Sequence, residues 1–159
     1  MIKVGDRIPN VTLQQKTADG IQPVSTEQLL KGKKVVLFAV PGAFTPTCSM
    51  KHLPGFVQKA DDIKKKGIDT IACVSVNDAF VMDAWGKDQK VGDKVTMLAD
   101  GSAKFAEALG LGLDLSDKGL GKRSQRYAMV VEDGVVKKLN VEEGGKFEVS
   151  SADSILSGL

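Results

Sequence analysis

Cysteine and histidine are scarce in this chain, which holds only Cys48, Cys73 and His52 of these two residue types. Two cysteines cannot form the disulfide framework of small secreted domains, and one histidine beside them cannot complete a four-ligand metal set. Long hydrophobic runs are also missing, since no stretch approaches the roughly 20 consecutive apolar residues of a membrane-spanning helix. The sequence therefore excludes a disulfide-stapled domain, a structural zinc site and a spanning helix.

Charge of one sign is not in excess either. The 22 basic and 20 acidic residues are spread along the chain and leave a formal net charge of +2, which offers no single-sign face to nucleic acid or to a membrane surface. The opening segment MIKVGDRIPN has neither the apolar run of a secretory signal nor the Arg- and Ser-rich bias of a transit peptide. We expect a cytoplasmic protein whose partners are small molecules and other proteins.

The composition fits one domain over residues 1–159, because 42% hydrophobic residues suffice for a full core at this length. The predicted strands are residues 34–40, 70–76, 95–99, 127–132 and 135–141, and the predicted helices are 46–66, 79–85, a short one ending at 109, and 150–156. Asp133-Gly134 marks a terminal hairpin, and the glycine-rich stretch 110–121 is predicted to be an irregular loop beside a cleft. This order predicts an α/β fold in which a mixed central sheet is flanked by helices.

The most informative stretch is PGAFTPTC, residues 41–48, because it places Cys48 in the first turn of a helix directly after a buried strand. Free backbone N–H groups and the positive end of the helix dipole stabilise a thiolate at that position. Thr45 can bring its hydroxyl near the sulfur, and Pro41 with Phe44 can shield one side of it from water. In an arbitrary sequence these residues would be an inert buried cysteine and a helix N-cap. This context instead favours a nucleophile with a small oxidant as substrate.

The segment PGAFTPTCSMKHLPGF, residues 41–56, closely resembles the active-site segment of the peroxiredoxins, in the type II group that includes plant cytosolic members and mammalian peroxiredoxin five. The resemblance continues through CVSVNDAFVMDAWGK, LADGSAKFAEALGL and RYAMVVEDGVV and covers essentially the whole chain. It implies a thioredoxin-like fold and a thiol-dependent peroxidase that reduces hydrogen peroxide and alkyl hydroperoxides in antioxidant defence. The cysteine is then oxidised to a sulfenic acid, which a thiol reduces. Members usually pair as homodimers beside the active-site loop, which makes Phe44, Pro46 and Phe80 candidate interface residues.

The resemblance also implies the site residues. The family pattern P-x-x-x-T-x-x-C matches Pro41, Thr45 and Cys48, and the family's site arginine, which precedes an aromatic residue and a strand, matches Arg126. Its guanidinium would hold the thiolate and polarise the peroxide oxygens. From the residues alone Arg126 would be a solvated surface arginine, and Arg123 lies close enough in sequence to be confused with it.

His52 and Cys73 are open to more than one interpretation. His52 follows Cys48 by one helical turn and could support the site, but a single helix histidine is more often structural, so it is left outside the catalytic set. Cys73 lies in the apolar stretch IACVSV and by itself would be an inert thiol, whereas the resemblance makes it a possible resolving cysteine, because plant type II members carry a second cysteine at this spacing. A disulfide needs Cα atoms within about 7 Å, and a cysteine inside a strand beside a helix N-terminus usually lies farther from the first turn than that. We therefore expect a one-cysteine cycle without a cofactor. Glutathione, glutaredoxin or thioredoxin would be the reductant.

A second function class needs the same activated cysteine, namely a peroxide sensor or relay that oxidises a partner protein instead of clearing peroxide. Turnover with a small-molecule thiol distinguishes the two. A nucleotide-binding loop around GLGKR is rejected, because Ser116 and Arg123 stand where a P-loop needs glycine and a hydroxyl residue. A dithiol oxidoreductase is rejected because Thr45 stands where a Cys-x-x-Cys motif needs its first cysteine.

Overall fold

The computed structural model describes all residues from Met1 to Leu159. The strands are β1 (Thr12–Thr17), β2 (Gly20–Ser25), β3 (Lys34–Val40), β4 (Thr70–Ser75), β5 (Thr96–Ala99), β6 (Gly112–Leu115), β7 (Gly121–Ser124), β8 (Tyr127–Glu132) and β9 (Val135–Val141). The helices are α1 (Thr26–Leu30), α2 (Leu53–Lys65), α3 (Ala79–Asp88), α4 (Lys104–Leu109) and α5 (Ala152–Ser157). A π-helical turn (Cys48–His52) leads into α2, and a 3₁₀ turn (Ser116–Lys118) separates β6 from β7.

Seven strands form one mixed sheet in the order β2-β1-β5-β4-β3-β8-β9. Strand β3 runs parallel to β4 and antiparallel to β8, and it is buried almost throughout, as its unbroken apolar sequence predicts. Strands β8 and β9 form the predicted hairpin, in which Asp133 and Gly134 both have positive φ, the backbone that a tight type I′ turn requires. The predicted mixed sheet and its hairpin are therefore confirmed.

Helices cover both faces of this sheet. Alternate residues of β3 belong to two separate apolar cores, since successive side chains of a strand point to opposite faces. Phe38 belongs to the core that includes residues of α2, α3 and α5, and Leu37 belongs to the core that includes residues of α1 and α4. Cys48 and Cys73 are both part of the first core. None of the helices has the length and apolar character needed to cross a membrane.

Two parts of the chain differ from the sequence-based expectation. Strands β1 and β2 and helix α1 are not among the predicted elements, although Ser25 and Gln28 form a capping box at the start of α1, a pattern that is visible in the sequence. The expectation of an irregular loop over residues 110–121 is wrong, because β6 and β7 pair as a separate two-stranded antiparallel sheet. Gly119 and Gly121 have positive φ, so the glycines supply the turn of a hairpin.

Candidate active site

Cys48 lies in the π-helical turn that follows β3 and the loop 41–47, and its side chain is completely buried. The turn is wider than an α-helical one, because the Leu53 N–H donates to the carbonyl of Cys48, five residues back. Pro54 accounts for the widening, since it has no N–H to continue the α-helical pattern and its ring needs room beside the preceding turn. The predicted helix 46–66 is confirmed in outline, with its first turn in π geometry.

Arg126 contacts Cys48 directly. Its Nη2 donates to Cys48 Sγ at 3.1 Å, and only 9% of Arg126 is exposed. Arg126 immediately precedes β8, and Ala39 near the end of β3 lies opposite Tyr127 at the beginning of β8. The end of one strand and the beginning of the other therefore meet at one edge of the sheet. This register brings together a cysteine and an arginine that are 78 positions apart in the chain.

The loop before Cys48 is held by hydrogen bonds of its own. Thr45 Oγ1 donates to the carbonyl of Gly42 at 2.7 Å and makes no hydrogen bond to Cys48, so its oxygen lone pairs remain available to accept. The Ala43 N–H donates to Asn77 Oδ1 at 2.9 Å, which ties the loop to the segment after β4. These two hydrogen bonds fix the loop that precedes Cys48.

Phe44 is a surface residue of this loop. Its side chain is 53% exposed, its φ is +63°, and its ring centroid lies 6.5 Å from that of Trp85 in α3. The positive φ is a backbone conformation that aromatic residues seldom adopt. The structure places the Phe44 ring beside Trp85 and half in water, and the expected shielding of the sulfur by Phe44 stays a prediction.

The two neighbouring arginines have different partners. Arg123 Nη1 donates to the carbonyl of Pro41 at 3.4 Å, and its Nε donates to the carbonyl of Leu120 at 2.8 Å. A Cβ atom on Gly42 would lie 2.9 Å from Arg123 Nη1, so a larger residue at position 42 would displace the Arg123 guanidinium. Arg126 reaches the sulfur and Arg123 holds the loop, which distinguishes two residues that the sequence leaves easy to confuse.

His52 belongs to the site, although the sequence reasoning leaves it outside. It is completely buried, with Nδ1 2.8 Å from Arg126 Nη1 and Nε2 2.9 Å from the Ser150 carbonyl. Because a guanidinium only donates and a carbonyl only accepts, the neutral ring carries its proton on Nε2. Burial, together with the charge of Arg126, lowers the pKa of His52 to about 3. The ring of Phe147 lies 5.0 Å from the His52 ring and 5.8 Å from the Arg126 guanidinium carbon.

Glu142 anchors the segment that presents the Ser150 carbonyl. Its carboxylate accepts from the backbone N–H groups of Glu148, Val149 and Ser150 and from the Ser150 hydroxyl, at 2.6 to 3.0 Å. Burial opposes the charge of Glu142, but the hydrogen bonds from the Ser150 hydroxyl and from these amides prevail and hold the pKa of Glu142 below its ordinary value. No sequence motif marks Glu142 or Ser150, and only the i, i+4 spacing of His52 from Cys48 pointed toward this group.

Cys73 is a free thiol in the middle of β4, opposite Phe38 of β3. It is completely buried. Burial, and next the charge of Cys48, raises the pKa of the Cys73 thiol well above its ordinary value. Because the thiolate and not the thiol is the nucleophile, the surroundings of Cys73 do not activate it.

Comparison with known proteins shows the family to which the chain belongs. The chain matches the Redoxin family over residues 3–156. It is 55% identical to peroxiredoxin-2B of Arabidopsis thaliana over 159 residues, which cover 99% of this chain and 98% of that protein. It is 56% identical over 162 residues to chloroplastic peroxiredoxin-2E of the same plant, covering 99% of this chain and 69% of that protein. The crystal structure of reduced Prx3 from Vibrio vulnificus in complex with hydrogen peroxide has 56% identity, a TM-score of 0.96 and 99% coverage of each chain.

The chain belongs to the Redoxin family, in its peroxiredoxin branch. Peroxiredoxins are thiol-dependent peroxidases, oxidoreductases that use a thiol as electron donor and carry no prosthetic cofactor. No three His, Cys, Asp or Glu side chains come together as a metal site would need. The predicted family, the thioredoxin-like fold and the antioxidant peroxidase activity are thereby confirmed.

Proposed function

We propose that this peroxiredoxin reduces hydrogen peroxide and alkyl hydroperoxides through Cys48, assisted by Arg126, Thr45 and Pro41, and that an external thiol regenerates it. The observation that carries the proposal is the 3.1 Å contact between Arg126 Nη2 and Cys48 Sγ, both removed from bulk water. A buried guanidinium stabilises the anionic sulfur before the reaction and the charge that develops on the peroxide oxygens during it.

In the first step the Cys48 thiolate attacks the terminal peroxide oxygen. An S–O bond forms, the O–O bond breaks, and the sulfur loses two electrons to become a sulfenic acid. The leaving oxygen takes up a proton and departs as water or an alcohol. One external thiol then attacks the sulfenic sulfur and releases water, and a second thiol reduces the resulting mixed disulfide and restores Cys48.

Thr45 and Pro41 have supporting roles in this proposal. The Thr45 hydroxyl already donates its proton to the Gly42 carbonyl, so its oxygen can accept a hydrogen bond from the peroxide O–H and orient the substrate. Pro41 directly follows the last residue of β3, and its carbonyl accepts a hydrogen bond from Arg123. We assign Pro41 the shaping of the loop and Thr45 the positioning of the peroxide.

The surroundings of Cys73 favour a one-cysteine cycle. Its strand is paired with β3 on one side and with β5 on the other, and burial raises the pKa of the Cys73 thiol. A resolving cysteine must reach the sulfenic sulfur as a thiolate. Because Cys73 is held within the sheet and its thiol is not activated, we assign the reducing step to glutathione, glutaredoxin or thioredoxin.

Mass spectrometry of the reduced protein after one equivalent of hydrogen peroxide tests the proposal, with a dimedone-type probe to trap sulfenic acid. We expect a trapped sulfenic acid on Cys48 in the wild type and in Cys73→Ala, and none in Cys48→Ser. Retained peroxide reduction by Cys48→Ser would refute the role of Cys48. An internal Cys48–Cys73 disulfide would refute the one-cysteine cycle, and catalytic turnover with glutathione alone would separate a peroxidase from a relay that oxidises a partner protein.

The proposed state of the active protein is a homodimer. Phe44 and Phe80 are 53% and 63% exposed, and Pro46 beside them in the loop is exposed as well. Exposed aromatic residues of this kind are enriched at protein interfaces. Light scattering after gel filtration should give twice the chain mass for the wild type and for Val4→Asp, an exposed apolar control, and a lower mass for Phe80→Asp. A monomeric wild type would contradict the dimer.

A further inference from the structure

We propose that His52 is a positioning residue, which fixes the Arg126 guanidinium against Cys48 and is itself fixed by Glu142 through Ser150. The inference rests on the proposed roles of Cys48 and Arg126 and adds the means by which the arginine is held. Three consecutive sets of contacts carry it, from the sulfur outward to the segment after β9.

Arg126 has few partners to hold it. None of the four ion pairs of the protein includes Arg126, and its side chain makes hydrogen bonds to Cys48 Sγ and His52 Nδ1 alone. The sulfur is the reacting atom and changes during the cycle. His52 Nδ1 is therefore the acceptor that is not chemically changed when Cys48 is oxidised, and Arg126 without it would lose its only other side-chain hydrogen bond.

His52 can serve as a fixed acceptor because its own orientation is determined. Its Nε2–H donates to the Ser150 carbonyl at 2.9 Å, and the rings of Phe38, Phe56 and Phe147 surround it with centroids 4.9, 5.6 and 5.0 Å away. The charged and titratable groups near it are Arg126 and Glu142, with Cys48 one turn away. Burial and Arg126 keep the ring neutral, which leaves a lone pair on Nδ1 for the guanidinium.

Glu142 completes the arrangement. Ser150 lies in a segment without regular secondary structure, and a carbonyl there would have no fixed position of its own. The carboxylate of Glu142 accepts hydrogen bonds from three backbone N–H groups and one hydroxyl of residues 148–150, and these bonds hold the segment. The Ser150 carbonyl is thereby held within hydrogen-bonding distance of His52 Nε2.

Two substitutions at His52 separate positioning from packing. The Oδ1 atom of asparagine occupies the place of histidine Nδ1, whereas the amide nitrogen of glutamine occupies the place of Nε2. His52→Asn therefore retains an acceptor for Arg126, and His52→Gln retains a donor for Ser150. Both variants lose the aromatic ring, so a purely structural role would affect them alike.

Rapid mixing with hydrogen peroxide gives the second-order rate constant for oxidation of Cys48. We expect His52→Gln to be slower than wild type by about tenfold or more, the effect of losing a hydrogen bond to a charged group, and His52→Asn to stay within about threefold. In an Arg126→Ala background, His52→Gln should cause no further slowing. Equal slowing of both variants, or equal slowing by His52→Gln in both backgrounds, would overturn the inference. A wild type that does not react with peroxide would instead overturn the proposed function.

Nuclear magnetic resonance tests the same contact in the wild type, where folding of a variant is not in question. His52 is the only histidine in the chain, so its ring nitrogens are assigned without ambiguity in ¹⁵N-labelled protein. We expect a proton on Nε2 and none on Nδ1 near pH 7, together with a shift of the Nδ1 resonance in Arg126→Ala. A proton on Nδ1 would overturn the inference, because that nitrogen could not accept from Arg126.

Discussion

Trp85 donates its indole N–H to Ser49 Oγ at 3.0 Å, so the only tryptophan of the protein is bonded to the residue next to Cys48. Both Trp85 and Cys48 are completely buried. Because the interior is close-packed, a bulky group cannot be attached to the Cys48 sulfur unless this turn moves. The tryptophan is therefore placed to report the chemical state of the cysteine.

Formation of a mixed disulfide between Cys48 and glutathione should change the intensity and wavelength of tryptophan emission, because the turn that carries Ser49 must move away from Trp85. The change should reverse on reduction and be absent in Cys48→Ser. Steady-state fluorescence during titration with oxidised glutathione measures it. Unchanged emission in a sample that mass spectrometry shows to be glutathionylated would mean that the turn accommodates the adduct in place.

Replacement of Arg126 by alanine should slow sulfenic acid formation by about 100-fold, since the guanidinium that faces the sulfur and the developing charge is removed. Arg126→Lys should restore part of the rate, because an ammonium group keeps the charge but cannot bridge Cys48 and His52. The matched control is Arg123→Ala, which loosens the loop at Pro41 and should slow the reaction far less. Stopped-flow measurement of peroxide consumption compares the three, and equal effects of the two alanine variants would contradict the assignment.

Folding stability should decrease as the pH falls from about 6.5 toward 3, because of His52. Its pKa is about 3 in the folded protein and 6.5 ordinarily, so in this range the unfolded chain binds a proton that the folded protein does not. Above pH 6.5 His52 is neutral in both states and the free energy of unfolding keeps its full value. Near pH 4.5 the free energy of unfolding is lower by about 2–3 kcal/mol, at about 1.36 kcal/mol per pH unit. Urea unfolding of the wild type and of His52→Asn at several pH values checks this. The variant should show the weaker pH dependence, and equal slopes would count against a neutral buried His52.

Substitution of Glu142 by glutamine should destabilise the protein by about 1–3 kcal/mol, because one acceptor oxygen becomes an NH₂ group that faces backbone donors. The neighbouring Glu143 is exposed, so Glu143→Gln is the matched control and should leave stability unchanged. The pKa of Glu142 is lowered in the folded protein. The stabilisation from Glu142 is therefore present above the ordinary pKa of a glutamate and is lost as the pH falls through the pKa of the folded state. Thermal unfolding of both variants near neutral pH compares them, and equal melting temperatures would refute the anchoring role.

The parts of the fold that could be predicted have strong local patterns. Strand β3 is a continuous apolar run, and the hairpin of β8 and β9 is marked by Asp133-Gly134. Strands β1 and β2 read TLQQKT and GIQPVS, with mostly polar and partly exposed residues at the edge of the sheet. Their pairing depends on each other and on β5, so periodicity alone did not reveal them.

The residues of the site also differ in whether the sequence predicts them. Pro41, Thr45 and Cys48 share one short motif, and Arg126 followed from resemblance to a family. The partners of His52 lie 74 and 98 positions away, and neither the sequence around Arg126 nor that around Ser150 indicates a contact with His52. Their contact is a product of the tertiary fold and could not be read from local spacing.

The separation of Cys48 and Arg126 is set by two adjoining strands, since Ala39 faces Tyr127 in register, and not by the length of chain between them. The loops of the intervening polypeptide can therefore vary in length while the reactive pair keeps its spacing. Residues 116–119, at the tip of the β6 and β7 hairpin, are exposed and form a natural insertion point for a peptide tag or a tethered redox partner. An added residue inside β8 would disturb the core, because the side chains of β8 on one side of the insertion would point to the other face of the sheet.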